Sequence, residues 1–540
     1  MVILLRLALR SHRTGIIATG VIGGIGGLLN AFAFVQIAGA THAERLVFAH
    51  QMEIIGRQFS YILPPPIQLD TMGGYLTWRD FSSISVIYAI WAVLAATGAA
   101  RGDEERRLTE LWLASGVSRT RWLIGRTAGF LMGSTLSIAV MMAVTAAGAA
   151  AAGDPLPAGG IALEGVAYVG LTLCAFGIGV AVAQLFVTRR AAALAASGLL
   201  IGLFFLNSAL RSGVEVGAAR WLSPFYYFDR STPLLDRGTL DVVATAALLS
   251  AGLMLVVFAS FAFARRDVGG TSIASRRRTA PPTARASKDP LLRMPVVAAV
   301  AQQRGWIAGW AIGMAALAYV LVSITKVLVD ALTSMPGLTQ YVSAIGLSSY
   351  SDFVGIIWFG TALLIIAIFV VVQVSGWAAD DGEGRLELVL AQPVSRTRVV
   401  LERVASLLVA VLIIAAVSTL VVYGTANANG VEMPAGRTAL AGLLMLPVAF
   451  ALGGVGLALV GWRPRLAVVV LGLVTAMSYF TEQFAPIFKL PEWVQRTSVF
   501  ALYGVPLTRD DWAGTGILMV IGFAGTAIAI GAMRRRDVGS

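Results

Sequence analysis

The sequence predicts an all-α integral membrane protein whose twelve transmembrane helices form two six-helix repeats in parallel orientation. Three observations support this fold class. Hydrophobic residues make up 57% of the 540 residues and charged residues only 13%, about half the charged share of a soluble domain. Long charge-free stretches recur along the chain, and two short motifs recur at offsets of about half its length. A soluble core cannot absorb so much apolar sequence.

Twelve stretches of at least 16 residues lack Asp, Glu, Lys and Arg, and we predict these as the spans. A charge at the bilayer centre costs roughly 2.5–3.5 kcal/mol, and a spanning helix needs about 20 apolar residues. The stretches are 14–43, 81–100, 127–153, 165–188, 191–210, 242–264, 305–325, 353–379, 404–431, 438–462, 466–481 and 512–533. A thirteenth run, 331–351, is rich in Ser and Thr and contains Pro336, so we predict a loop or re-entrant segment there.

The distribution of basic residues predicts the orientation of the chain. Twelve spans place both termini on one side, and with that side inside, the inner segments carry 29 of the 41 Lys and Arg residues. The positive-inside rule then predicts a multi-pass protein of the cell inner (plasma) membrane with both termini cytoplasmic. Residues 1–13 are basic and amphipathic, which predicts an N-terminal interfacial helix rather than a cleaved signal peptide.

An internal repeat divides the chain. "RRDVG" at 265–269 recurs at 535–539, and "ELWLASGVSRTR" at 110–121 aligns with "ELVLAQPVSRTR" at 387–398 with nine of twelve positions identical. Both copies of the longer motif lie between the second and third span of their half. We therefore predict the following order: a first six-span half at 14–264, a flexible basic cytoplasmic linker at 265–304, and a second six-span half at 305–540.

Each copy of the longer motif predicts a short amphipathic helix followed by the start of the next span. Apolar residues at i, i+3 and i+4 mark one face of that helix. They are Leu108, Leu111 and Trp112 in the first copy and Leu386, Val389 and Leu390 in the second. Ser118 and Ser395 are placed to cap the next span, and Arg119 and Arg396 lie where the chain re-enters the membrane.

Each part of this motif is also compatible with a role other than partner binding. The arginines are compatible with topology markers, the serines with simple caps, and the helix with a segment that lies on lipid headgroups. None of these roles requires the same twelve-residue block in two halves whose spans have diverged, because any basic loop satisfies topology. The duplication therefore favours two copies of one partner-binding surface.

The motif resembles the loop between the second and third helix in permease subunits of type-2 ABC exporters, where an acidic cluster precedes E-x-x-L-A-x-P-V-S-R. The second copy matches at Asp380, Asp381, Glu383, Gly384, Glu387, Leu390, Ala391, Pro393, Val394, Ser395 and Arg396. The first copy departs at Arg107 and Gly116, which stand where the second copy has Gly384 and Pro393. The fused double-length arrangement is similar to the polyketide-antibiotic exporters of actinobacteria.

This resemblance implies that the short helix seats in a groove of a separate ATP-binding subunit, whose closure on ATP switches the membrane cavity. It implies two copies of an ABC ATPase subunit as partners, expected as a homodimer, with ATP and Mg held there and no cofactor bound by this chain. The implied ATPase-coupling residues are Glu105, Glu110, Leu111, Trp112, Ser118, Arg119, Glu383, Glu387, Val389, Leu390, Ser395 and Arg396. It also implies short external helices in 211–240 and 482–511 that close an outer gate.

The chain itself lacks a phosphate-binding P-loop, which needs a lysine directly after a glycine. Its three lysines, Lys288, Lys326 and Lys489, follow Ser, Thr and Phe. We therefore expect a transport subunit rather than an enzyme.

The few charges in the spans favour a small hydrophobic or amphipathic substrate, such as a drug, an antibiotic or a lipid. Phe204, Phe205 and Asn207 are candidate cavity residues, although core packing explains them equally well. The glycine clusters at 20–27 and 453–456 predict close helix packing.

Other classes fit less well. A secondary, ion-gradient transporter is the alternative, and it would bury carboxylates near the bilayer midplane. The scan finds none there, and it places Glu164 and Glu402 at span ends, where we expect them to be interfacial. A membrane enzyme would need a catalytic constellation, and none is evident. The single cysteine, Cys174, excludes an internal disulfide, and the three histidines argue against a metal site. No nucleic acid partner is expected.

Overall fold

The structure is a computed structural model that describes residues 2–58, 60, 63–272, 290–333, 350–382, 384–485, 487–505, 507 and 509–535. The chain forms two compact units, Met1–Pro281 and Pro282–Ser540. Within the described residues, each unit contains six helices that are long and apolar enough to cross a membrane. The predicted fold class, an all-α protein with twelve spans, is confirmed.

The first unit contains spans 1 to 6. They are Ile3–Ala38, Met72–Glu105, Arg119–Ala151, Ala158–Ala183, Arg189–Arg211 and Val242–Arg265. Span 2 is built from Met72–Leu76, a π-helical turn Thr77–Phe81, Ser82–Thr97, a second π-helical turn Gly98–Gly102, and Asp103–Glu105. The remaining helices are His42–Gln58, Leu108–Ala114, the 3-10 turn Gly217–Leu222, and Pro224–Phe228.

The second unit contains spans 7 to 12. They lie within the helices Arg304–Thr333, Tyr350–Gly382, Arg396–Ala428, Ala435–Trp462, Pro464–Phe484 and Trp512–Arg535. Span 8 carries a π-helical turn at Gly355–Phe359, and span 10 breaks between Leu443 and Met445. The shorter elements are Pro290–Arg293, Pro295–Gln302, Arg385–Leu390, Glu492–Gln495, Ala501–Tyr503 and the paired two-residue strands Gly504–Val505 and Arg509–Asp510.

Span 1 does not begin with a separate interfacial helix at residues 1–13. One continuous helix runs over Val2–Ala38. Its first turns pack on span 3, where a Cβ added to Gly125 or Gly129 would meet Leu4 or Ala8 within 3 Å. Both of those apolar side chains are buried. The first turns of the span 1 helix, which carry the basic residues, are thus packed against span 3.

Spans 2 and 4 extend past the charges that bounded them in the sequence scan. Asp80 and Glu164 are only 4% and 2% exposed, and Asp80 accepts a hydrogen bond of 3.0 Å from Asn30 Nδ2. Both carboxylates are therefore buried within the protein. Glu164 lies in the second turn of span 4, so the expectation that it is interfacial stays a prediction. A charge-free scan excludes such residues by construction.

The linker predicted at 265–304 has fixed structure where it is described. Arg266 is buried in the first unit, and Pro290–Arg293 and Pro295–Gln302 are helical turns of the second unit. Residues 273–289 lie outside the described part of the chain, as does most of 331–351. The described ends of the predicted loop or re-entrant segment, 331–333 and 350–351, are helical, so that expectation stays a prediction for 334–349 alone.

The second predicted glycine cluster lies at a close helix contact. Gly454 of span 10 faces Gly522 and Gly525 of span 12, and a Cβ on Gly525 would come within 2.5 Å of the Gly454 carbonyl carbon. The contact joins two backbones, so no side-chain rotation can relieve it. Small residues allow this approach.

We expect Gly525→Ala to destabilise the second unit by about 1–3 kcal/mol, because the added methyl must push two backbones apart. The matched control is Gly531→Ala in the same helix, where an added Cβ meets nothing within 4 Å and alanine favours the helix. Thermal unfolding of the purified protein in detergent compares the two. A Gly525→Ala variant as stable as the control would contradict the packing.

Candidate functional site

The two copies of the repeated motif fold into short helices, Leu108–Ala114 and Arg385–Leu390, which we call the loop helices. Each begins after a residue with left-handed backbone, Arg107 at φ 58° and Gly384 at φ 72°. Glycine is the residue that adopts this conformation without steric cost. The first loop keeps the same entry turn even though arginine occupies that position.

The loop helices end differently. Gly116 has φ 85°, and the Val117 N–H donates to the Trp112 carbonyl at 3.3 Å, which is a Schellman ending. Pro393 occupies the aligned position, and there the Val394 N–H donates to the Gln392 carbonyl at 2.6 Å. The departure of the first copy from the motif therefore changes the exit turn and leaves the entry turn unchanged.

The buried face of the first loop helix is shifted by one residue from the predicted apolar face. Thr109 is fully buried and Leu111 is 67% exposed, whereas the sequence spacing grouped Leu111 with the apolar face. Trp112 packs against Trp122 of span 3, with ring centroids 5.9 Å apart. In the second loop, Leu386, which aligns with Thr109, is buried as predicted.

Each loop helix presents a glutamate and a leucine outward. Glu110 and Glu387 are exposed, and Leu388, aligned with Leu111, is 71% exposed. Val389 is 44% exposed and Leu390 is half-buried. Sequence reasoning missed Leu388 because it falls outside the i, i+3, i+4 stripe. Direct comparison of the two aligned copies would have found it.

The predicted caps are confirmed. Ser118 Oγ accepts a hydrogen bond from the Arg121 N–H at 3.2 Å, and Ser395 Oγ accepts one from the Arg398 N–H, also at 3.2 Å. Each serine thereby satisfies one of the free N–H groups at the start of its helix. Spans 3 and 9 begin at the same place in the repeat for the same reason.

Arg119 and Arg396 bind the end of the last span of their own unit. Arg119 Nη1 donates to carbonyls of Phe263, Ala264 and Arg266. Arg396 Nη1 donates to the carbonyls of Met533 and Arg534, at 2.7 and 3.4 Å. A cation at these free carbonyls also interacts favourably with the helix dipole.

The same contacts join the two repeated motifs. The accepting carbonyls lie in or beside the first residues of "RRDVG" in each unit. In both units, therefore, the first arginine of "SRTR" binds the end of the helix at which "RRDVG" begins.

An ion pair also recurs in both units and was not predicted. Asp103 and Arg126 lie 2.8 Å apart with their side chains 9% and 3% exposed. Asp380 and Arg403, at the aligned positions, lie 3.7 Å apart, and the Asp380 side chain is 37% exposed. Extending the alignment by five residues beyond "SRTR" would have found both arginines. Each pair ties the end of one span to the start of the next.

A buried polar network occurs in the first unit beside this pair. Glu104 accepts hydrogen bonds from Arg101, Arg266 and the Gly269 N–H. Arg266 Nε also donates to Gln184 Oε1 at 2.9 Å. Buried charges are tolerated when they are paired in this way. The network fixes residues 266–270 against the ends of spans 2 and 4.

Two predicted loop residues remain, Glu105 and Glu383. Glu105 Oε1 accepts a hydrogen bond from the Arg189 N–H at 2.7 Å, so its carboxylate lies at the start of span 5. Glu383 lies outside the described residues.

The predicted cavity residues lie at the opposite end of the first unit from the loop helix. Asn207 is 2% exposed and its Nδ2 donates to Asp229 Oδ2 at 2.7 Å. Phe204 packs edge-on against Phe225, with ring centroids 5.3 Å apart, and also against Phe205. Of the three, Asn207 alone lines the cavity found there.

These features define a multi-pass membrane protein whose two six-span units each carry one copy of the same loop. The chain matches the family described as "Multidrug efflux system permease Rv1217c, C-terminal domain" over residues 4–264 and 292–536, and it therefore belongs to this permease family. The multidrug efflux system permease protein Rv1217c of Mycobacterium tuberculosis (strain ATCC 25618 / H37Rv) is 26% identical over 490 residues. That alignment covers 88% of this chain and 84% of the relative.

We expect Asp103→Asn to destabilise the protein by about 3–5 kcal/mol, because it leaves Arg126 buried without its counter-charge. Asp380→Asn serves as the matched control at the aligned position. That pair is longer and its Asp380 side chain is 37% exposed, so its loss should destabilise the protein less than the loss of the Asp103–Arg126 pair. Thermal unfolding of the two variants measures the difference. Equal losses of stability would contradict the expectation that the buried pair contributes more.

Proposed function

We propose that this chain is the membrane subunit of an ATP-driven exporter and that a separate ATPase dimer docks on its two loop helices. The observation that carries this proposal is the exposed Glu-Leu pair on each loop helix, Glu110 with Leu111 and Glu387 with Leu388. This pair recurs at aligned positions of two units whose spans have diverged, which favours one partner-binding surface present twice. The relative's description as a multidrug efflux permease supports export.

The contacts behind each loop helix supply a route for mechanical coupling. A push on the first loop helix reaches span 3 through the stacking of Trp112 on Trp122, and span 6 through the hydrogen bonds of Arg119. In the second unit Arg396 makes the equivalent link to span 12. Arg119 and Arg396 are therefore assigned to transmission within the permease rather than to contact with the ATPase.

The proposed substrate is a small hydrophobic or amphipathic compound such as a drug, an antibiotic or a lipid. We place both termini and both loop helices on the cytoplasmic side of the plasma membrane, following the distribution of basic residues. ATP and Mg then belong to the partner, since this chain has no lysine in a P-loop context.

Secondary transport driven by an ion gradient is the second candidate, and the buried Asp80 and Glu164 favour it. Nucleotide dependence separates the two. We expect proteoliposomes that contain this chain and its ATPase to move substrate only with ATP. Substrate movement by this chain alone, driven by a proton or sodium gradient, would replace the proposal with the second candidate.

We expect Leu111→Arg combined with Leu388→Arg to weaken ATPase binding about 10- to 100-fold per leucine, because each loses the burial of one large apolar side chain. Co-purification with the ATPase and pull-down titration measure the loss. The matched control is Leu222→Arg, a leucine 70% exposed at the other end of the first unit.

The glutamates provide a second, milder test of the same surface. Glu110→Ala combined with Glu387→Ala should weaken the complex by about tenfold or less and reduce its dependence on salt, as expected for exposed charge pairs. If both double variants assembled and coupled like wild type, the loop helices would not be the docking surface.

A further inference from the structure

A cavity of about 230 Å³ lies within the first unit, at the end opposite the loop helix. Its wall is formed by Pro64, Pro65 and Ile67 before span 2, the first turns of spans 2 and 4, the last turn of span 5, and the segment before span 6. Ligand sites for drug-sized molecules measure about 300–1,000 Å³. This cavity is smaller, so its volume suits a fragment or the head group of a longer molecule.

Three buried polar atoms without partners belong to residues that line this cavity. Among the described residues, Glu164 Oε2, Trp78 Nε1 and Thr77 Oγ1 find no hydrogen-bond partner. Glu164 is 2% exposed and Trp78 is 4% exposed. A buried polar group without a partner is costly and rare. Three beside one cavity leave unmet hydrogen-bonding capacity for a polar ligand there.

Among the described residues around the cavity, Glu164 is the acid without a cation. Arg211 and Arg230 also line the cavity, but each is already paired. Arg211 Nε donates to Asp229 Oδ2 at 2.7 Å, and Arg230 Nε donates to Asp241 Oδ2 at 2.7 Å. A ligand that satisfies Glu164 therefore has to bring its own positive charge or hydrogen-bond donor.

Aromatic side chains complete the lining. Trp78 and Phe81 come from the π-helical turn Thr77–Phe81, and Tyr226 and Phe228 come from the short helix before span 6. π-helical turns within helices occur frequently at functional sites. Aromatic walls around one carboxylate are the chemistry that recognises organic ammonium groups, through charge pairing and cation–π contact.

The repeat shows that the fold does not require this glutamate. "PAGGIALEG" at 157–165 aligns with "PAGRTALAG" at 434–442, and both stretches begin a span after their proline. Ala441 occupies the position of Glu164. A helix of the same repeat therefore packs with alanine there, which leaves the acid in the first unit without a structural explanation.

We propose that this cavity is a binding site for an organic ammonium group, held by the Glu164 carboxylate and the surrounding aromatic side chains. The site lies within the first unit, at the end opposite that unit's loop helix. The proposal goes beyond ATPase docking, and its test needs no ATPase.

The test measures binding of two probes of matched shape to the purified permease in nanodiscs, 4-phenylbutylamine as the ammonium and 4-phenylbutan-1-ol as the neutral compound. We expect wild type to bind the amine at least about tenfold more tightly, as for hydrogen bonds to charged groups. Glu164→Gln should abolish that preference. Glu215→Gln, an exposed glutamate at the same end of the unit, should keep it.

A second measurement uses wild type alone, so it stands even if Glu164→Gln does not fold. Dicyclohexylcarbodiimide labels carboxyl groups in apolar surroundings, and peptide mass mapping reports its reaction at Glu164. The amine should protect Glu164 from labelling and the alcohol should not. Equal binding of the two probes to wild type, an unchanged preference in Glu164→Gln, or no protection by the amine would each overturn the proposal.

Discussion

The contact between an arginine of each repeated loop and the last carbonyls of its unit's final span is the interaction on which this architecture depends. Arg119 and Arg396 occupy aligned positions from which each guanidinium donates to free carbonyls at a helix end. Those carbonyls have no partner within their own helix, and a membrane protein gains by satisfying them internally. The loop, the start of the third span and the end of the sixth span thereby become one connected structure in each unit.

The charged residues near these contacts are buried to different degrees in the two units. In the first unit the Asp103–Arg126 pair is buried and Glu104 binds two further arginines. In the second unit the aligned Asp380 is partly exposed and also pairs with Arg385. Glu164 has no acidic counterpart in the second unit. Duplication has preserved the connections between spans, while the surroundings of the charges have diverged.

Much of the loop could be predicted from residues alone. The serine caps, the buried Leu386 and the outward glutamates follow from local rules that depend on a few neighbouring positions. The buried face of the first loop helix could not, because Leu108 is the more apolar residue although Thr109 is the one that is fully buried. The roles of Arg119 and Arg396 required a partner more than 130 residues away.

The sequence by itself determined the membrane class, the twelve spans and the duplicated loop, because apolar length, charge and repetition are properties of the chain read in order. Only the tertiary structure decided which charges enter the protein interior. Asp80, Arg101 and Glu164 look like span boundaries in one dimension and lie inside the first unit in three. A charge is tolerated there when another segment supplies its partner or a cavity adjoins it, and the linear sequence shows neither.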